Sequence, residues 1–241
     1  MIKKIAIIIP AYNEEKCIAD VVRSINGLNM GAGFIVDVLV INDASSDETV
    51  SIAAGLDCIL LDLPVNVGIG GAVQTGFKYA YEQAYDYAMQ VDGDGQHPAS
   101  EIPKLINAIC TGEFNVVIGS RFIEKTGFLS TFYRRLGISF FKNLIKLFYG
   151  ITVKDTTSGF RIIDNKALAI VSEYYPDEYP EPESIVLYKK YQLKIGEVPV
   201  KMKARQGGTT SIRAFYSLYY MMKVTIAIFF TSLRLRKINL K

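Results

Sequence analysis

The chain has 241 residues, 50% hydrophobic and 21% charged, which gives one large domain an ample core and excludes a disordered or fibrous protein. Its three cysteines, Cys17, Cys58 and Cys110, form no CxxC pair, which argues against a zinc ribbon and for reduced thiols. The net charge of +3 conceals a split, because nine of the 27 basic residues and none of the 24 acidic ones follow Glu197.

Lys3 and Lys4 precede only six uncharged residues, 5–10, before a polar turn begins, too few for the apolar core of a signal peptide. The stretch reads instead as a buried strand over 5–9 closed by Pro10, and chemistry on the cytoplasmic side is expected. Helical spacing follows over 14–25, then a second aliphatic strand over 36–41. Asp47 is placed to cap a helix reaching residue 54, and 58–63 reads as a third strand. Residues 70–84 are helical, 87–91 form a strand ending at Asp92, 98–109 are helical and 116–118 form another strand. This alternation predicts an α/β fold with a mostly parallel central sheet flanked by helices, whose ligands bind beyond the carboxyl ends of the strands. Past Arg121 come a long aromatic, basic helix over 132–149, a loop, two helical stretches, a strand near 195–200 and a very apolar helix over 212–233. The expected division is a catalytic domain, 1–211, and a basic amphipathic helical tail, 212–241.

The polar motifs fall at the strand ends. After the first strand, Pro10-Ala11-Tyr12-Asn13-Glu14-Glu15 can meet a nucleotide, although an acidic helix N-terminus accounts for the same residues. Asn42-Asp43 ends the second strand, where a carboxylate suits a base or a ribose. Asn66-Val67-Gly68-Ile69-Gly70-Gly71-Ala72 enters a helix with glycines that let backbone N–H groups approach a phosphate. It is not a dinucleotide fingerprint, because Val73 stands where the last glycine of G-x-G-x-x-G belongs.

Asp92-Gly93-Asp94-Gly95-Gln96-His97 carries the most chemistry. Two carboxylates around one glycine repel each other unless a cation sits between them. Mg2+ or Mn2+ takes such hard oxygen ligands and leaves room for phosphate. Asp94 and Gln96 read as ligands, with Asp92 beside them or on the ribose. An EF-hand is excluded because no Glu stands at loop position twelve. His97, the single histidine, abuts this turn. Gly119-Ser120-Arg121 and Asp155-Thr156-Thr157-Ser158-Gly159-Phe160-Arg161 follow, with Arg134-Arg135 between them at the head of the apolar helix. Asp155, on a Ser/Gly loop expected to be mobile, can hold an acceptor or act as a base. The arginines can grip a phosphate or form a solvated face.

In order, PAYNEE, Asn42-Asp43, N-x-G-x-G-G-A, DGDGQHP, GSR, SGFR and Arg205-Gln-Gly-Gly-Thr-Thr-Ser resemble the family 2 inverting glycosyltransferases of GT-A fold. Within these the chain looks most like the dolichol-phosphate mannose synthase and bactoprenol glucosyltransferase branch. The resemblance spans residues 5 to about 211. It implies a nucleotide-sugar site at Pro10, Tyr12, Glu14, Asp43, Gly68, Gly70, Asp92 and Arg205, and a metal at Asp94, Gln96 and Asp92. Asp94, Asp155 and Arg121 would be catalytic, and Arg121, Arg134 and Arg135 would face an acceptor phosphate. Ile69 stands where many relatives carry Lys or Arg, Gly95 where they carry Leu, and Thr210-Ser211 where a Ser and a Lys are usual.

The expected reaction transfers a hexose from a nucleoside diphosphate sugar, a UDP-sugar in preference to GDP-mannose, to a polyprenyl phosphate with inversion. That acceptor is already anionic, so positioning matters more than proton abstraction. The rival acceptor is a saccharide hydroxyl, for which Asp155 must act as base. A sugar-nucleotide pyrophosphorylase would need a lysine-containing glycine-rich N-terminus that is missing here, and a nucleic-acid-binding protein conflicts with the acidic first 197 residues. In the tail, Phe215, Leu218, Tyr219, Met222, Ile226, Phe229, Phe230 and Leu233 form one stripe with Lys223 near its middle. This suits peripheral membrane contact, or a homo-oligomer interface, better than a membrane span.

Overall fold

The protein's structure, a computed structural model, describes residues 2–124, 132–203 and 222–230, with every side chain among them except those of 132–138. Four aliphatic runs form β1 (Lys3–Ala11), β2 (Phe34–Asn42), β3 (Ile59–Asp62) and β4 (Tyr87–Gln90). Strands covered by helices on both faces need apolar residues at consecutive positions. In β1, Ile5, Ile7 and Ile9 enter one core while Ala6 and Ile8 enter the other, and all five are fully buried.

With β5 (Val116–Ser120), β6 (Arg161–Asp164) and β7 (Ile195–Pro199), these make a seven-stranded sheet in the order β3-β2-β1-β4-β6-β5-β7. Only β6 runs against its neighbours β4 and β5; every other pairing is parallel. The sequence pattern offers no strand at 161–164, because four residues headed by an arginine carry too little alternation to register. One sheet face is covered by α1 (Ile18–Asn26), α2 (Thr49–Ala54) and α4 (Ile102–Ile109). The other is covered by α3 (Gly68–Glu82), α5 (Phe132–Tyr149), α6 (Asn165–Glu173), α7 (Pro180–Lys190) and the helical segment 222–230.

Three helix starts differ from the periodicity; α4 begins at Ile102 rather than residue 98, because a separate 3-10 turn, Ala99–Glu101, precedes it. The first helix begins at Ile18 rather than residue 14, after a turn whose Glu14 and Glu15 N–H groups donate to Thr49 Oγ1 and Asp47 Oδ2 in the neighbouring loop. The third begins at Gly68, two residues earlier than its spacing indicated, because Asp43 caps it from a distant strand end.

Segment 222–230 buries Val224 and Ile228 in the core beside Phe141 and Ile145 of α5, and the Tyr149 hydroxyl donates to the Ile228 carbonyl at 3.2 Å. Met222, Ile226, Phe229 and Phe230 are each more than half exposed, as are Leu147 and Phe148 of α5 at 78% and 68%. Among the described residues no helix is long and apolar enough to cross a membrane. The expected boundary at 211 lies outside the described residues.

Candidate active site

The chain leaves β1 for β2 and β3 on one side, then returns to place β4 on the other. In such sheets the crevice beyond the carboxyl ends at this reversal is the ligand site. Ala11 pairs with Asn42 and Ile8 with Gln90, so the loops after β1, β2 and β4 leave the sheet side by side. They enclose a cleft of about 490 Å³ lined by Pro10, Tyr12, Glu14, Asp43, Asn66, Gly68, Ile69, Asp92, Asp94 and Glu181, among others.

The first two loops are laced together. Asn13 Oδ1 accepts the Ser46 N–H at 2.8 Å, and the Asn13 N–H donates to Ser45 Oγ at 3.0 Å. Asn13 and Ala44 both hold positive φ, 55° each, a conformation that costs energy and clusters at functional sites. Tyr12 lies on this wall half exposed.

Asp43 is 4% exposed, and its carboxylate accepts the Val67 and Gly68 N–H groups at 2.7 and 3.0 Å. The first N–H groups of the glycine turn, read from sequence as free to approach a phosphate, are thus engaged by Asp43 at Val67 and Gly68. Gly70 sits differently from Gly68. It does not line the cleft, and an added Cβ would lie 2.2 Å from the Pro176 carbonyl oxygen and 2.3 Å from that of Asp177. Its lack of a side chain lets the 176–177 backbone pass over α3. Ile69, 41% exposed, lines the cleft.

After β4 the turn holds both aspartates at the cleft. Asp94 is 5% exposed and accepts the Gln96 N–H at 3.0 Å and Gln96 Nε2 at 2.7 Å. Gln96 is thus Asp94's hydrogen-bond donor here. Gly95 supplies the left-handed φ of 74° that turns the chain, a conformation that leucine resists. His97 braces the turn: its Nδ1 accepts the Asp92 N–H at 3.1 Å, so the ring proton belongs on Nε2, 3.6 Å from Asp92 Oδ2. The ring is buried and stacks on Phe160 at 4.7 Å. The SGFR glycine backs this assembly, since a Cβ at Gly159 would lie 2.7 Å from Gln90 Nε2 and 3.1 Å from Asp92 Oδ1.

Asp155 was expected on a mobile loop. It is instead fully buried, accepting Arg121 Nε and Nη2 at 2.7 Å each and the Arg121 N–H at 3.1 Å, while its own N–H donates to Glu197. Neither Arg121 nor Asp155 lines the cleft. Arg134 and Arg135 lie on the first turn of α5, with side chains outside the described set, and Arg205 lies outside the described residues. Sequence reasoning passed over Glu181, whose clue is an acidic residue between two prolines at the head of a helix.

The family model for "Glycosyl transferase family 2" matches residues 6–170, more than half of the chain. The chain belongs to glycosyl transferase family 2. As a family 2 glycosyltransferase it is 34% identical over 222 residues to a UDP-N-acetylglucosamine–dolichyl-phosphate N-acetylglucosaminyltransferase of Methanococcus voltae, covering 83% of this chain and 85% of that one. It is 31% identical to a dolichol-phosphate mannosyltransferase of Pyrococcus furiosus, covering 92% of this chain and 62% of that longer protein. Its fold matches glucosyl-3-phosphoglycerate synthase of Mycobacterium tuberculosis, crystallised with Mn2+, UDP-glucose and phosphoglyceric acid. The TM-score is 0.73 at 19% identity, over 98% of this chain and 81% of that one. The glycosyltransferase therefore has the GT-A fold, and its cleft sits at the switch point of the sheet.

Proposed function

We propose that the enzyme transfers a sugar from a nucleoside diphosphate sugar to a polyprenyl phosphate, with inversion at the anomeric carbon. The observation that carries this reading is the cleft at the switch point, where the strand-end loops present Asp43, Asp92 and Asp94 together. The Methanococcus and Pyrococcus relatives, named for transfer to dolichyl or dolichol phosphate, support the acceptor class.

Asp92 and Asp94 fit a hard divalent cation. The described lining holds five acidic residues, Glu14, Asp43, Asp92, Asp94 and Glu181, and no lysine or arginine. Such a wall repels a diphosphate unless a cation intervenes, and Ile69 removes one candidate. Asp94 and Asp92, assisted by Gln96, would hold Mg2+ or Mn2+, which when bound neutralises charge on the departing diphosphate. The nucleoside would lie against Pro10, Tyr12, Glu14 and the Asp43–Gly68 junction, with Arg205 on the donor phosphates.

Asp155 supports a lipid phosphate over a saccharide hydroxyl. A hydroxyl acceptor needs a base, whereas this carboxylate is buried and engaged by Arg121. A phosphate acceptor brings its own negative charge and needs only placement, for which Arg134 and Arg135 are positioned in sequence at the head of α5. The pair Arg121–Asp155 is assigned to holding the end of β5 against the 155–160 loop.

The reading includes peripheral docking on the cytoplasmic face of a membrane. The exposed apolar residues of 222–230 and α5 support it, as does the basic composition after Glu197. The test is a thermal-shift panel of UDP, GDP and their sugars with Mn2+, followed by transfer assays on polyprenyl phosphate and on soluble saccharides. A nucleotide that binds raises apparent stability by mass action. Stabilisation by a nucleotide sugar, followed by transfer to the lipid, is expected. Transfer to saccharides alone would replace the acceptor.

A further inference from the structure

Glu181 enters the cleft from the far half of the chain. It is the second residue of α7, between Pro180 and Pro182, and among the described lining residues it alone comes from beyond Asp94. Its backbone is held from behind. Arg161, 3% exposed, donates from Nη2 to the Glu181 carbonyl at 2.8 Å, from Nη1 to Ser184 Oγ at 2.6 Å and from Nε to the Ser158 carbonyl at 2.6 Å. Ser184 Oγ donates in turn to the Glu181 carbonyl at 3.1 Å. On the approach side, the 176–177 backbone is wedged against Gly70. The two prolines fix φ on either side of Glu181.

An acidic residue in the first turn stabilises any helix N-terminus. That role needs no buried guanidinium, and burying a cation is costly. Here the guanidinium is bonded to main-chain and hydroxyl oxygens, so its work is to fix the turn that carries Glu181. Glu181 lines the same cleft as the strand-end aspartates, and its negative charge makes it a poor neighbour for a phosphate. A carboxylate does suit sugar hydroxyls, because its two oxygens accept short charge-assisted bonds from adjacent OH groups.

We propose that Glu181 reads the transferred sugar. Its carboxylate accepts hydrogen bonds from hydroxyls of the donor's sugar ring and so sets which sugar the cleft accepts, while Arg161 and Ser184 are positioning residues. This rests on the nucleotide-sugar reading above. With the nucleoside at the ends of β1 and β2 and the diphosphate at Asp92 and Asp94, the α7 wall is where the sugar meets protein.

The experiment measures binding of UDP, GDP, UDP-glucose, UDP-N-acetylglucosamine and GDP-mannose by calorimetry with Mn2+, for wild type, Glu181→Gln, Glu181→Ala and Ser184→Ala. For the nucleotide sugar that wild type binds best, both Glu181 variants should weaken affinity about tenfold or more, while the matching nucleoside diphosphate stays within about threefold. A donor lacking the contacted hydroxyl should bind wild type and Glu181→Ala alike. Ser184→Ala should raise the donor KM a few-fold at nearly constant kcat, a split that mere loss of stability does not produce. Equal weakening of nucleoside diphosphate and nucleotide sugar would overturn the inference and leave the donor reading intact. Unchanged affinity for the sugar donor in both Glu181 variants would overturn it too. If wild type binds no nucleotide or nucleotide sugar, the donor reading falls and takes this inference with it.

Discussion

Arg121 and Asp155 form a two-pronged ion pair away from solvent, with Nε to Oδ2 and Nη2 to Oδ1 both at 2.7 Å and exposures of 5% and 0%. Removing one partner of such a pair leaves an uncompensated buried charge. Asp155→Asn should therefore cost about 3–5 kcal/mol of stability. Pairing it with Arg121→Met should recover much of that loss, because both charges then leave together. Denaturant melts of the two single variants and the double variant test this. A stable Asp155→Asn enzyme with abolished turnover would mark Asp155 as a base and restore the saccharide-hydroxyl reading.

Asp94→Asn should remove most transfer activity and leave the melting temperature nearly unchanged. Asparagine keeps an oxygen for the Gln96 N–H, so the strand-end turn should survive while a ligand charge is lost. Turnover with Mg2+ or Mn2+, and in excess chelator, is the measurement. Full activity in chelator would refute the metal assignment.

The double variant Arg134→Ala with Arg135→Ala should raise the apparent KM for polyprenyl phosphate at least tenfold, with nucleotide affinity changed little. Each charge-assisted contact to a phosphate contributes about 1.5–3 kcal/mol. Loss of nucleotide binding with acceptor affinity retained would move these residues to the donor site.

Phe229→Glu with Phe230→Glu should abolish sedimentation with anionic liposomes while the fold survives. Both rings are more than half exposed, whereas Val224 and Ile228 hold the segment to the core. Deleting everything after residue 211 should also abolish sedimentation, but with lower stability, since those two buried contacts contribute about 1.5–3 kcal/mol each. Vesicle binding equal to wild type in the double variant would show that this face is not the anchor.

Gly70→Ala should destabilise the protein by about 1–3 kcal/mol, a melting shift of about 2–4 °C for each kcal/mol at this chain length. The new methyl group meets carbonyl oxygens at 2.2 and 2.3 Å, which must retreat. Because the displaced 176–177 backbone leads to Glu181, donor affinity should fall as well. An unchanged melting curve would show that the chain over Gly70 gives way freely.

The sequence by itself determined what depends on local periodicity and chemistry. The aliphatic runs at 5–9 and 36–41 could only be strands covered on both faces, and polar motifs at their ends marked the ligand side. The order of those motifs pointed to the family. The DGDG spacing placed two carboxylates in one turn without reference to the rest of the chain.

Tertiary structure decided whatever depends on residues far apart in sequence. Asp43 and Gly68 are 25 positions apart, so nothing local says that one caps the other. Gly70 looked like a phosphate-loop glycine, and only the passage of 176–177 reveals a packing constraint. β6 is short and antiparallel, held by β4 and β5 rather than by its own pattern. Asp155 read as mobile because serine and glycine surround it, yet Arg121 and Glu197 reach it from 34 and 42 residues away. Glu181 had no motif to announce it, because its place in the cleft is made by Arg161, 20 residues earlier, gripping its carbonyl. Hydrophobic period is a short-range signal that survives in one dimension, whereas ion pairs, caps and close backbone approaches exist only once the sheet has brought their partners together.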